Sequence, residues 1–191
     1  MAKFDDSRRN KYLSEIYRHA RVAQVAIDSL HESFAAEPFE INIDRVFMGV
    51  QSFLASSGMI SKMVWPAVGM VKDPNVREWT VKRKQILQEV LQLDDTSPLA
   101  SRNLRNAFEH YDERLDTFVS KSYNTFMLDW TITSGPSVFE VLGDAEDMPL
   151  VTCIDPKTLN VRIMTASMSL LELNEEVQRI GQLAKDIIER R

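Results

Sequence analysis

The sequence predicts a mainly α-helical protein, an up-and-down bundle of four to five helices with a small β-hairpin or β-meander inserted before the last helix. Three observations carry that expectation. Long stretches repeat their apolar residues at a 3.6-residue period. Two boundaries between them pair a capping residue with a proline, Asp73-Pro74 and Ser97-Pro98, the punctuation that opens a helix. Only between 126 and 165 does the pattern shorten into β-rich runs separated by turn residues. At 191 residues the chain is long enough for one domain with a real core. The expected organisation is a single helical domain, 1–191, holding the β-rich insert 126–165.

The first helix is expected from about Ser7 to Phe34, with Tyr12, Leu13, Ile16, Ala20, Ala23, Ile27, Leu30 and Phe34 on one stripe. Pro38 cannot continue it. Asp44, or Asn42 just before it, can cap a second helix that ends near Trp65, ahead of Pro66. That helix is apolar on two sides. Ile43, Val46, Phe47, Val50, Phe53, Leu54 and Val64 make one face, and Met48, Ala55, Met59 and Met63 lie opposite. Such a helix is central in a domain or shared with a partner; the methionine stripe is expected in the core. Gly49 and Ser56-Ser57-Gly58 permit close approach or a kink.

Asp73 as cap and Pro74 at the first helical position open a third helix, expected to reach about Leu93. Ser97 and Pro98 open a fourth, which carries Arg102 to Asp116 and extends to about Ser122. The segments 125–133, 137–142, 150–154 and 159–165 then read as short strands. Pro156 falls at the second position of a turn, so 150–154 and 159–164 are expected to form a hairpin. The helical period returns from about Ser167, with Leu170, Leu173, Val177, Ile180, Ala184 and Ile188 as an inner stripe.

Composition narrows the function classes. Hydrophobic residues at 44% and charged residues at 27% are ordinary for a soluble globular protein. The lone Cys153 excludes an intrachain disulfide framework and fits a reducing cytoplasm. Within the β-rich Leu150–Asp155 it reads as a small buried filler rather than a nucleophile. The first twelve residues have no apolar core of a secretory signal. No run approaches the ~18 consecutive apolar residues of a membrane span. A net charge of −5 argues against broad, non-specific nucleic-acid binding, yet leaves room for a small site with a few placed cations.

The fourth helix holds the most informative stretch. On a helical wheel Leu104, Ala107, Phe108, Tyr111, Leu115 and Phe118 converge on a core side. Arg102, Asn106, His110 and Glu113 project from nearly the opposite side, with Arg105 and Glu109 on a flank. Asn106 and His110 are i and i+4 and therefore neighbours. The histidine is expected to face solvent or another chain. Polar residues opposite an apolar stripe are also what any surface helix carries, and Arg105–Glu109 is an ordinary i,i+4 pair worth a few tenths of a kcal/mol.

Arg105-Asn106-Ala107-Phe108-Glu109-His110 resembles the R-x4-6-H signature of HEPN domains, including the polar residue directly after the arginine. The resemblance spans about 5–122 and 167–190 and leaves the β insert outside. Catalytic members of that family are all-α dimers in which two copies of the motif meet in a cleft. They act as metal-independent endoribonucleases, many of them toxins or defence factors. The resemblance implies Arg105 and His110 as the catalytic pair, Asn106 as their support and Arg102 as a further cation toward substrate. It implies RNA as substrate, a homodimer, no metal or cofactor, and an antitoxin or regulatory protein as a further partner in the cytoplasm. The alternative is a family member without catalysis, whose polar face binds a nucleotide or a partner protein.

That chemistry suits the residue types. RNA carries its own nucleophile, the 2′-hydroxyl, so the protein need only move protons and steady the phosphate. Histidine titrates near neutrality and serves as general base or acid. Arginine stays charged and grips phosphate oxygens as a fork. The place two residues after the histidine, a tyrosine in many toxins controlled by nucleotidyltransferase-type antitoxins, is Asp112 here. Regulation by tyrosine modification is therefore not implied. Glu109, Asp112, Glu113 and Asp116 oppose a polyanion; Arg102 and Arg105 offset them, as would Lys82-Arg83-Lys84 if folded close.

Other motifs read as structural. Asp28-x-x-His31 resembles half of a di-iron carboxylate site, but no second Glu-x-x-His accompanies it. His19 is expected to hydrogen-bond Glu15 one turn back. No dinucleotide-binding, Walker, zincin or nucleophile-elbow motif is present. The basic runs at 7–11 and 82–85 read as solvated surface. Trp65 and Trp79 flank a helix–helix connection and are expected to pack there, while Trp130 lies in the β insert with no role assigned.

Overall fold

Each helix starts where a side chain satisfies amides that the helix itself leaves without acceptors. The computed structural model describes residues 5–35, 40–101, 112–113, 116, 120, 131–132, 152–163 and 166–190. Helix α1 is Asp6–Phe34 and opens on Asp5, whose Oδ1 accepts from the Arg8 amide at 3.0 Å. Helix α2 is Ile43–Val64, capped by Asn42, whose Oδ1 accepts from the Arg45 amide at 2.9 Å. Helix α3 is Pro74–Val90, with the Asp73 carboxylate accepting from the amides of Asn75 and Val76 and Pro74 in the first turn. Helix α4 is Leu170–Glu189.

The end of α3 shows why it stops short of Leu93. Gln92 adopts a left-handed φ of 53°, its amide donates back to the Glu89 carbonyl, and the Leu93 amide donates to the Gln88 carbonyl. This is a Schellman closure, which turns the chain out after Val90 with the apolar Leu91 buried at the cap.

Ser97-Pro98 opens a 3₁₀ turn, Pro98–Ala100, in the described residues. The Ser97 hydroxyl donates to Glu176 at 2.7 Å. In place of the helix expected to open at Pro98, the described chain forms this short turn and Ser101 is not helical; 102–111 lie outside the described residues, and Asp112, Glu113, Asp116 and Ser120 are helical and exposed.

A four-stranded sheet precedes the last helix, in the order β1 (Thr131–Ile132), β2 (Thr152–Ile154), β3 (Asn160–Ile163), β4 (Ala166–Ser169). β1 runs parallel to β2, and the remaining pairs are antiparallel. The expected hairpin is β2–β3. At its turn, Asp155 Oδ1 accepts from the Lys157 amide at 2.8 Å, and Leu159 closes the loop at φ 50° with its amide donating to the Asp155 carbonyl. The expected strand 137–142 and Trp130 lie outside the described residues.

Strand β4 corrects the reading that helix resumes from Ser167. Ala166–Ser169 pair with β3, and the helix begins one residue later, when the Ser169 hydroxyl accepts from the Glu172 amide at 3.2 Å. Ser169-x-x-Glu172 is the sequence of a capping box.

The chain divides into two compact units. The first comprises 1–28, 51–100 and 173–191. Its buried apolar residues include Leu13, Ile16, Ala20, Ala23 and Ile27 of α1, Phe53, Leu54, Ile60 and Val64 of α2, Leu87 of α3, and Leu173, Val177, Ile180 and Ala184 of α4. Apart from Ile60 and Leu87, these belong to the stripes that the 3.6-residue period marks. α1 and α4 run antiparallel in close contact: the Gln178 side chain donates to the Ala20 carbonyl at 3.0 Å and the Asn174 side chain to Gln24 at 3.3 Å. Gly181 faces Ala20 so tightly that a β-carbon there would collide with the Ala20 methyl. Trp65 is buried and Trp79 half-buried, its indole N–H donating to the Tyr12 hydroxyl at 3.3 Å.

The second unit comprises 29–50 and 101–172. It buries Leu30, Val46, Phe47 and Val50 from helical segments and Cys153, Ile154, Leu159, Val161 and Ile163 from the sheet. Arg45 bonds Glu32 at 2.6 Å on its surface.

The methionine stripe of α2 departs from its expected place in the core. Met48 is 63% exposed and Met59 43% exposed, with Ala55 exposed and Met63 half-buried. The helix buries the face bearing Phe47, Val50, Phe53 and Leu54 instead. Within that apolar face Ile43 is 49% exposed, because it stands in the first turn.

Candidate functional site

Arg102, Arg105, Asn106 and His110 lie outside the described residues. Immediately after the motif the chain is helical at Asp112, Glu113 and Asp116, and all three are exposed.

The residues just before the motif are well anchored. Leu99 is buried, and its carbonyl accepts from the buried Ser61 hydroxyl at 2.7 Å. Ser97 donates to Glu176 Oε1, while Arg179 grips the same carboxylate with two bonds, Nε to Oε2 at 2.7 Å and Nη2 to Oε1 at 3.0 Å. The Arg179 hydrogen bonds hold the Glu176 carboxyl below its ordinary range, with the Ser97 bond adding to them against partial burial. This charge-assisted fork ties the Ser97 turn to α4 within the first unit.

The basic runs are engaged. Lys82 pairs with Glu78 at 2.7 Å and Lys84 with Asp95 at 3.6 Å. Arg83 lies over the Tyr12 ring, 5.3 Å from its centroid, and donates to the Lys62 carbonyl. Arg8 similarly covers Trp79, 5.6 Å from the ring centroid, and pairs with Asp5. Such stacking makes these arginines part of the packing. Glu15 pairs with Arg18 at 3.3 Å instead of with His19, because the guanidinium at i+3 outcompetes the imidazole for the carboxylate.

Cys153 is fully buried in β2, and burial pushes its thiol above the ordinary range. A thiol so protected is a poor nucleophile, in line with the filler reading. Asp28 accepts from Gln24 at 2.8 Å and is exposed, as is His31. Among the described residues no group of three or more histidine, cysteine, aspartate and glutamate side chains is placed to hold a metal ion. None of the described helices is long and apolar enough to cross a membrane.

The first unit carries a groove that the sequence reading did not single out. It has a volume of about 590 Å³ and lies along α1 and α4. Val22, Val25 and Ile188 give it apolar walls, Tyr17 and Ser14 add hydroxyls, Arg18, Arg21 and Lys185 add cations, and Glu189 adds one carboxylate. The available signal was small: Val22 and Val25 are apolar residues off the inner stripe of α1. Compared with protein-family models, curated proteins and solved structures, the chain has no match.

Proposed function

We propose that this protein is a HEPN-like, metal-independent endoribonuclease of a defence or toxin–antitoxin type, working in the cytoplasm as a homodimer with a composite active site. The observation that carries the reading is the Arg105-Asn106-x-x-x-His110 motif in a mainly α-helical chain. The exposed helical residues Asp112, Glu113 and Asp116 directly after it support a solvent-facing polar side. His110 takes the proton of the ribose 2′-hydroxyl or returns one to the leaving oxygen. Arg105 binds the phosphate and stabilises the charge that builds on it. Asn106, one turn from His110, orients the imidazole or bonds a phosphate oxygen, and Arg102 extends the cationic surface toward the strand. A two-fold axis supplies two copies of each group, so one protomer's histidine works beside its partner's. An antitoxin or regulatory protein would hold the activity in check.

The test follows from the nucleophile. Purified protein in EDTA is expected to cut single-stranded RNA, leaving 2′,3′-cyclic phosphate ends, and to leave the DNA of the same sequence intact. Cleavage of that DNA, or a strictly monomeric solution mass, would overturn the mechanism.

A second reading has its own support. Asp112, Glu113 and Asp116 are exposed beside the motif, and such charges repel a polyanion. A HEPN-like module that binds a nucleotide or a partner protein without cleaving RNA accommodates them more easily.

A further inference from the structure

We propose that the groove along α1 and α4 is a docking site for an acidic amphipathic helix of a partner protein. The inference does not depend on ribonuclease activity, since none of the groove residues belongs to the motif.

The floor of the groove is apolar yet uncovered. Val22 is 45% exposed and Val25 is 67% exposed, and Ile188 of α4 is half-buried beside them. Leaving such side chains in water forgoes burial energy, which a partner covering them would recover. The two helices that form it are antiparallel and held together by the Gln178 and Asn174 bonds described above. A groove between two packed helices is the shape into which a third helix lays its ridge.

Charge then selects the occupant. Arg18, Arg21 and Lys185 line the groove against a single carboxylate, Glu189, in a chain whose net charge is −5. Arg18 has a surface pair with Glu15, and Lys185 meets Glu189 only at 4.0 Å. Arg21 has no ion-pair partner among the described residues. Arg18, Arg21 and Val22, Val25 alternate at spacings of three and four along α1, so cations flank an apolar strip on one face. A helix with leucine-like anchors bordered by glutamate or aspartate complements both features, whereas a basic helix would meet repulsion.

RNA fits less well. Strand binding needs an extended run of cations with aromatic platforms, and this groove offers three cations, one carboxylate, one tyrosine and an aliphatic floor. A small ligand fits less well again, because drug-sized molecules bury most of their surface in their pockets, and Ser14, Arg18, Arg21, Val22 and Val25 are all exposed here.

The experiment uses the full chain and a fluorescent Leu/Glu amphipathic peptide of roughly four helical turns, read by anisotropy. Its charge-reversed Leu/Lys counterpart and a single-stranded RNA are measured alongside. The acidic peptide is expected to bind, to weaken as salt rises, and to lose about tenfold or more in affinity with Arg21→Glu and with Val25→Asp, a loss of about 1.4 kcal/mol or more. Both positions are exposed, and unchanged helical circular dichroism of the variants keeps the comparison valid. No binding of the acidic peptide, equal binding of the basic peptide or the RNA, or indifference to both substitutions overturns the proposal. A solution mass lowered by Arg21→Glu would make the occupant a second copy of this chain and overturn it equally. Val25→Cys, in a background where Cys153 is buried, should react readily with a maleimide in the free protein. Protection there would mean that the chain covers its own groove, again against the proposal.

Discussion

Gly181 and Ala20 meet at the α1–α4 contact with no room for another carbon between them. Ordinary helix propensity favours alanine over glycine by about 1 kcal/mol, so on an open helix Gly181→Ala would stabilise. Here the neighbour is the Cβ of Ala20, which has no torsion with which to move aside. Overpacking wins, and Gly181→Ala is expected to cost about 1–3 kcal/mol net. A fall in the urea midpoint checks this; a rise would show that the helices can separate freely.

Asp73 closes the start of α3 through two amides. Asp73→Ala should lower stability by about 1 kcal/mol, and Asp73→Asn by much less, since asparagine caps comparably. Equal losses in urea unfolding would shift the explanation from the cap hydrogen bonds to charge alone.

Gln92 holds a left-handed conformation at the end of the same helix. Glycine adopts that region without the steric cost that a β-carbon brings. Gln92→Gly is expected to stabilise the protein by about 0.5–1 kcal/mol despite the added freedom of the unfolded chain. A lower thermal midpoint would contradict it.

Glu176 titrates below its ordinary value because Arg179, then Ser97, hydrogen-bond its charged form. A carboxyl whose folded pKa is depressed contributes stability that is complete above the unfolded value, near 4.5, and is lost as pH falls through the folded value. The stability difference between the wild type and Glu176→Gln should therefore be largest at neutral pH and shrink below about pH 4.5. Urea midpoints measured across pH read it directly. A difference independent of pH would mean that the carboxylate charge is not what Arg179 and Ser97 hold.

Much of the helical architecture is legible in the sequence because it rests on local rules. The stripe from Leu13 to Leu30 is buried as its period implies, and Asp73-Pro74 starts α3 as its capping chemistry implies. The Asp155-Pro156 turn closes the β2–β3 hairpin for the same reason. Three features escaped local reasoning. Ala166–Ser169 has no β-branched or aromatic residue, so its strand is decided by pairing with β3; only Ser169-x-x-Glu172 hinted that the helix starts later. Periodicity finds two apolar faces on α2 but cannot say which is covered, and Met48 and Met59 turn out exposed. The groove joins residues of α1 and α4 from opposite ends of the chain, a pairing that no local pattern encodes. Of the candidate site, the motif at Arg105, Asn106 and His110 is a reading of the sequence, and the described structure contributes its exposed, helical neighbours.

The central claim rests on His110, and the most direct measurement is the rate of single-stranded RNA cleavage in EDTA by the wild type and by His110→Ala at equal folded concentration. Loss of general acid–base catalysis is expected to slow cleavage by about 10²–10⁴-fold. Equal rates for the two proteins, or no cleavage by the wild type, would contradict the catalytic assignment.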